Sequence, residues 1–506
     1  MSSGWSDPAQ PPASVGLRDE PEPARSEARP GPPLWALLAA PLLASVALVV
    51  VSAPRLDAPF SPAFTDFNTA VWATGSQAVR TDGWGATRLG ATAGPSGAEV
   101  PYAHHPPLVR VEVTLAEQVL GAQRWVDRLP ALLSSLAAIW WCWGWLGACR
   151  FRPGPRSLGV LAVGGTGAML TYGAMLNMEA IWLPLAFGLL WAWQRAERCG
   201  GGAVSCFLVA VLGCTAAHQG MLLAGSLAVL GVVQARRERR RLRPHERAVL
   251  AGAALGAALF VLWVLWASGS VADLVRIAGE RSGDGVGWGE FVVAQADHLV
   301  LLFGLAGIVC LVAGLALVKE RPDLRGQLVV VWAVALAYAV VFRQGATIHP
   351  YWNAALLPAV ALGGALAGDR LAQRGRRALQ IGLAAVAVLL LVASVAAYRE
   401  GSPGRDAGEV ARVAAERGEG TLRSTEIVSE WVTYESGRPV RPAYDCESVL
   451  DAASSDATAD VVTSRRWIEL QDANGWAGVA ASPESQVRGD FAVTTLGVLS
   501  SVCPSG

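Results

Sequence analysis

An acid and a doubled imidazole set the chemistry open to this chain. Asp66 stands in Phe64-Thr65-Asp66-Phe67-Asn68, and in the same polar loop comes Tyr102-Ala103-His104-His105-Pro106-Pro107-Leu108. The two proline rings fix φ and remove backbone donors, so the chain turns rigidly just after the imidazoles. A carboxylate within reach of a hydroxyl is a general base, and a protonated imidazole can meet an anion. Glu179, His218, Arg343 and His349 stand at the ends of later apolar runs. Polar residues belong in loops in any case, so plainer roles compete: a solvated carboxylate or helix cap for Asp66, and a cap favoured by the helix dipole for Glu179.

These residues need a scaffold, and composition names its class. Apolar residues make up 53% and charged residues 16%, against roughly 25% charged in an ordinary soluble domain. With 20 Trp in 506 residues, the chain reads as an all-α polytopic membrane protein. A net charge of zero gives no sign of nucleic-acid binding. Residues 1–33, rich in Pro, Ser, Glu and Arg, read as a disordered cytoplasmic tail. Apolar runs able to cross about 30 Å give eleven passes, near 34–53, 129–149, 157–176, 179–195, 203–217, 218–235, 248–268, 297–318, 326–342, 351–368 and 378–398.

Lys and Arg in the short loops orient the passes. The basic residues after the second, fourth, sixth, eighth and tenth passes, among them Arg150, Arg198, Arg236–Arg247, Lys319 and Arg374, fall on one side when the N-terminus is cytoplasmic. The loop 54–128, the turns carrying Glu179, His218 and Arg343–Tyr351, and residues 401–506 then lie together outside a cell membrane. Charge is nearly absent from the passes themselves. That suits surface chemistry better than a transporter or flippase, which places ionisable groups near the midplane.

From 401 the chain reads as a small extracytoplasmic α/β domain. An amphipathic helix fits 406–417 and another fits 446–453, with strands at 424–434, 459–463 and 490–502. Cys446 and Cys503, its only cysteines, are a disulfide candidate on the oxidising side, with two free thiols as the alternative. Apolar residues at 108, 111, 115 and 119 suit a helix lying along the interface. The loop 269–296, with Gly283, Gly285, Gly287 and Gly289 around Trp288, reads as a mobile lid or a plain connector.

Asp66 with Asn68, the His-His-Pro-Pro turn, Asp127-Arg128-Leu129-Pro130, Glu179, and His349-Pro350-Tyr351 before Leu356-Leu357-Pro358-Ala359 occur in an order that resembles one group. It is the C superfamily of membrane glycosyltransferases (GT-C), close to glycosyltransferase family 39 with its protein O-mannosyltransferases and aminoarabinose transferases. The resemblance covers most of residues 34–400 and implies transfer of a sugar from a polyprenyl-phosphate carrier to a glycan, lipid or protein acceptor, with inversion. It implies Asp66 as general base, Glu179 as a catalytic or sugar-binding acid, and His105 with Arg343 at the donor phosphate. Asn68, Tyr102, His104, His218, His349 and Tyr351 become substrate-binding or loop residues.

His105 stands where relatives carry Lys, so a charged contact there needs a raised imidazole pKa. His104, Glu179, His218 and His349 are ligand types that a divalent metal accepts, although no close-spaced motif joins them; hydrogen bonding to substrate is the alternative. An inactive scaffold presenting the tail domain is a third reading, against which the retention of Asp66 with His-His-Pro-Pro argues. The richness in Ala, Gly and Arg suggests a bacterial source.

Overall fold

A computed structural model describes residues 34–92, 101–283, 285–399, 404–418, 422–426, 429–438, 440–472 and 475–503. Residues 39–506 form one compact unit. The tail expected at 1–33 lies outside the described residues.

Helix α1 (Leu34–Leu56) is followed by α2 (Phe64–Asp82), α3 (Leu108–Leu120) and α4 (Arg124–Ala148). Next come α5 (Pro153–Gly164), the one-turn α6 (Gly167–Leu170), α7 (Met178–Cys199), α8 (Ala203–Ala216), α9 (His218–Arg237) and α10 (Pro244–Ser268). Helix α11 (Ala272–Ser282) leads into α12 (Trp288–Leu317), α13 (Pro322–Val341) and α14 (Arg343–Ile348). A 3-10 segment, Pro350–Leu356, runs into α15 (Leu357–Arg374), and α16 (Arg376–Arg399) follows.

Among the described residues, eight helices are long and apolar enough to cross a membrane: α1, α4, α9, α10, α12, α13, α15 with its 3-10 lead, and α16. The other three expected passes fall on α5–α6, α7 and α8. The third departs from its expected span of 157–176. Helix α5 is only 12 residues long, and Gly165 and Thr166 separate it from α6. At about 1.5 Å per residue it covers about 18 Å, short of a full crossing. Ala217, extended at φ −158 and ψ 157, separates α8 from α9.

Helix α15 with its lead is the central element, and small residues let it approach its neighbours. A Cβ on Gly363 would stand 1.8 Å from the Cys310 carbonyl of α12, and one on Gly159 of α5 would stand 2.5 Å from the Ala361 carbonyl. Helices meeting in lipid gain from van der Waals contact rather than from a hydrophobic drive, so such seams hold them together.

Helix α3 spans the interfacial helix expected at 108–120. Leu115, Val119 and Leu120 are exposed, whereas Arg110, Thr114 and Glu117 are buried. Its polar side faces the protein and its apolar stripe faces outward, as befits a helix lying in a membrane surface.

The C-terminal region holds α17 (Gly404–Glu416), β1 (Leu422–Ser424), α18 (Glu430–Ser436), β2 (Val440–Pro442), α19 (Cys446–Ser455) and β3 (Asp460–Ser464). It ends with α20 (Arg465–Gln471), α21 (Gly475–Ala481), β4 (Gln486–Arg488), β5 (Phe491–Thr495) and α22 (Leu496–Ser500). The sheet order is β2-β1-β3-β5-β4; β1 runs parallel to β2 and β3, and β5 runs antiparallel to β3 and β4. Side chains alternate along strands, so Val462 and Val493 enter one core with α17, while Val461 and Ala492 enter a second with Trp467 and Leu496. The strand expected at 424–434 ends instead at Ser424, with α18 beginning at Glu430, and the strand expected at 490–502 turns helical at Leu496. Cys446 and Cys503, with Cα atoms 5.3 Å apart, form a disulfide.

This region is fastened to the membrane helices. Phe60 and Ala70 lie in the core built around α17. Arg124 forks onto Glu435 with contacts of 3.0 and 2.6 Å, and Glu435 also accepts from the Phe60 amide at 2.8 Å. The Tyr434 hydroxyl donates to Asp127 in the first turn of α4.

Candidate functional site

A cavity of about 1120 Å³ opens where α2, the His-His-Pro-Pro turn, the starts of α7 and α9, and helix α11 meet the C-terminal sheet. Seven residues singled out from the sequence line it: Asn68, Tyr102, His104, His105, His218, His349 and Tyr351. They form two aromatic groups. Tyr102 and His104 have centroids 4.2 Å apart, His104 and His105 4.2 Å, and His105 and His218 5.7 Å. His218 is also hydrogen-bonded to the backbone of His104. In the second group the Tyr351 hydroxyl meets His349 Nδ1 at 3.1 Å and Asn68 Oδ1 at 3.4 Å, beside the Phe64 ring.

The acids stand behind this wall. Asp66 is buried in the first turn of α2, where Ser61 donates to Oδ2 at 2.6 Å and Arg128 to Oδ1 at 3.1 Å. Arg128 also donates to the Leu56 and Ala58 carbonyls at 3.0 and 2.8 Å and lies over the Phe60 ring. Pro62, Phe64, Phe67 and Asn68 face the cavity around Asp66, which is not itself a lining residue. Each carboxylate oxygen has two lone pairs, so Asp66 keeps capacity beyond these two partners. Glu179 is buried at the start of α7; Gln219 donates to Oε1 at 3.1 Å, and Oε2 has no partner among the described residues. Its neighbours Asn177 and Met178 line the cavity.

The two expected cationic contacts differ in their surroundings. Burial pushes the His105 imidazole well below its usual pKa and holds His104 and His349 at about 3, so without an anion beside them all three are neutral at pH 7. His104, His218, Arg110 and Arg281 add to the depression at His105. His105 Nδ1 is buried and lacks a partner among the described residues. Arg343 is not a lining residue: its guanidinium donates to the Gly283 carbonyl at 2.6 Å and stacks on Trp288 at 4.4 Å. It anchors the connection between α11 and α12 instead of facing the cavity.

The segment expected as a Gly-rich lid is mostly helical. Of 269–296, residues 272–282 are α11, and 288 onward belongs to α12. Leu274, Ile277, Ala278 and Arg281 fall at helical spacing and line the cavity, a periodicity hidden in the sequence by the glycines that follow. Helix α11 thereby brings Arg276 and Arg281 to the site. Arg276 is engaged by Asp273 and Glu280, whereas Arg281 has no ion pair among the described residues.

Among the described residues, no three or more His, Cys, Asp or Glu side chains are placed to hold a metal ion. Of the four expected ligands, His104 and His218 lie in one aromatic group and His349 in the other, while Glu179 is tied to Gln219. They do not converge as a ligand set.

Behind the His-His-Pro-Pro turn, Arg110 is fully buried, stacked on Trp72 at 4.9 Å and Tyr102 at 5.3 Å. The C-terminal region contributes Thr425, Glu426, Glu430, Tyr444, Ser464 and Arg466 to the cavity. Sequence reasoning left all of these aside, because nothing in the local sequence of a soluble tail reveals which strand ends face a membrane domain.

No protein-family model and no curated protein matches the chain. Solved structures do. ArnT from Cupriavidus metallidurans bound to undecaprenyl phosphate aligns over 92% of this chain and 99% of its own, at 14% identity and a TM-score of 0.61. Its apo state aligns over 92% and 98%, at 15% identity and a TM-score of 0.58. The apo oligosaccharyltransferase of Archaeoglobus fulgidus aligns over 88% of this chain and 71% of its own, at 12% identity and a TM-score of 0.54. At such identities the likeness is one of fold alone: the chain shares the polytopic fold of these structures.

Proposed function

We propose that this protein moves a glycosyl group from a polyprenyl-phosphate carrier to an acceptor hydroxyl at the outer face of a cell membrane. One observation carries the reading: seven residues chosen from the sequence for this chemistry line one cavity. The fold agrees, since one similar structure holds undecaprenyl phosphate. In this reading the acceptor oxygen attacks the anomeric carbon while the bond to the phosphate oxygen breaks on the opposite side, inverting the centre. The proton passes to Asp66, and the polyprenyl phosphate departs with the bonding electrons.

Arg281 stabilises the charge gathered on the phosphate, and neutral His105 donates a hydrogen bond to it; both act most strongly as the bond breaks. Arg128 and Ser61 hold Asp66 in the orientation that the transfer needs. The basic residues after alternate passes support a cytoplasmic N-terminus and an outer C-terminal domain.

The test is transfer of label from a panel of radiolabelled polyprenyl-phosphate sugars to endogenous acceptors in membranes, beside an Asp66→Asn control. Label moving only with the unaltered protein is the expected result and identifies the sugar. A folded protein that transfers none of the panel would overturn the proposal.

A further inference from the structure

The C-terminal sheet presents one particular edge to the cavity. Strands β1, β2 and β3 are parallel. The lining residues come from their carboxyl ends: Thr425 and Glu426 just after β1, Tyr444 just after β2, and Ser464 ending β3, with Arg466 and Trp467 following. In open α/β sheets, ligands bind in the crevice outside the carboxyl ends of the strands. Here that crevice opens into the same cavity that the histidines line.

The groups there suit a ligand rather than a packing contact. Glu426 Oε1 is buried with no hydrogen-bond partner among the described residues, while Ser464 binds the same carboxyl and Arg466 lies near it. Tyr444 is 39% exposed, and its carbonyl accepts from Trp467 Nε1 at 2.8 Å, which fixes the two aromatic residues together. Backbone groups are already used: the Thr425 amide bonds to the Val462 carbonyl and the Ala443 amide to the Ser424 carbonyl. The side chains there are the Glu426 carboxylate, which can accept from paired hydroxyls, a guanidinium and hydroxyls that donate, and a phenol ring able to cover the apolar face of a pyranose or furanose.

We propose that the carboxyl edge of this sheet is the acceptor subsite of the cavity and that it takes a saccharide. The inference rests on the transferase reading above and names its acceptor class. The test uses the full chain in lipid nanodiscs. Saturation-transfer NMR reads binding of mannotriose, arabinotriose, maltotriose and cellotriose, with Ser- and Thr-containing hexapeptides as the other arm. Undecaprenyl phosphate binding is measured in parallel.

The expected result is saccharide binding that weakens by about tenfold or more in Glu426→Gln and in Tyr444→Ala, while undecaprenyl phosphate binds as before. Arg466→Ala is a third substitution on the same wall, expected to weaken saccharide binding as well, and an unaltered unfolding midpoint guards against a folding defect in all three. Three results would overturn the subsite: hexapeptides binding in place of saccharides, saccharide binding indifferent to all three substitutions, or no saccharide binding by a protein that holds undecaprenyl phosphate. Failure of the unaltered protein to bind undecaprenyl phosphate counts against the donor reading instead, and the saccharide arm still decides the subsite.

Discussion

Replacing Arg128 with Met removes the cation from a pair whose side chains are 3% and 8% exposed. Asp66 is then left with Ser61 alone, and the Leu56 and Ala58 carbonyls lose a charged donor. Breaking a buried pair from one side costs about 3–5 kcal/mol, because the remaining charge stays out of water. The carbonyl losses overlap with this figure rather than add to it. We expect about 4 kcal/mol. The double change Asp66→Asn with Arg128→Met removes the stranded charge and recovers about 2 kcal/mol of that loss. Asp66→Asn alone costs less than Arg128→Met, since Arg128 keeps its two carbonyls, so that control remains folded in a transfer assay. The measurement is unfolding of the nanodisc-embedded protein followed by tryptophan fluorescence. A loss under about 1 kcal/mol for Arg128→Met, the range of exposed pairs, would refute the argument, as would a double variant no more stable than the single one.

Other consequences follow from the same geometry. His104 and His349 have pKa values of about 3 when folded, against about 6.5 unfolded, so the unfolded chain binds more protons between these limits. Their contribution to stability is full above pH ~6.5 and is lost as pH falls toward 3; His104→Asn and His349→Asn should flatten that acid limb in a pH series of unfolding midpoints, and an unchanged limb would count against their burial. A Cβ on Gly90, at φ +77, would stand 2.6 Å from the Gly75 carbonyl. Gly90→Ala is therefore expected to destabilise by about 1–3 kcal/mol, seen as a lower unfolding midpoint. The disulfide between Cys446 and Cys503 closes a separation of 57 residues. Replacing both with Ser should destabilise the C-terminal region by about 4 kcal/mol on the chain-entropy estimate, leaving undecaprenyl phosphate binding unchanged.

What the sequence makes legible follows from how far each signal reaches. Hydropathy is local, so every expected pass coincides with a helix or a helical pair, and α3 spans the expected 108–120. The polarity of α3 is a different matter. A stripe of Leu and Val tells that one side is apolar without telling whether protein or lipid covers it, and here Arg110 and Glu117 point inward. The residues lining the cavity were recognisable by type, as at Asn68, His104 and Tyr351, because short motifs carry them. Their charge states were not, since the neutral imidazole of His105 depends on burial by distant segments. Arg343 and Arg281 show the same limit. Both are arginines near turns, and only the path of α11 sends one to Gly283 and the other to the cavity.

The antiparallel pairing of β3 with β5 bears on how the molecule is made. The end of β3 forms part of the cavity wall, and β3 pairs with β1 on one side but has its other partner only when residues 491–495 exist. A nascent chain halted near residue 485 would hold helices α1 to α16 and both histidine clusters, but β3 at the cavity wall would lack its antiparallel partner. Strands late in the sequence thus brace a wall that earlier segments line but cannot steady alone.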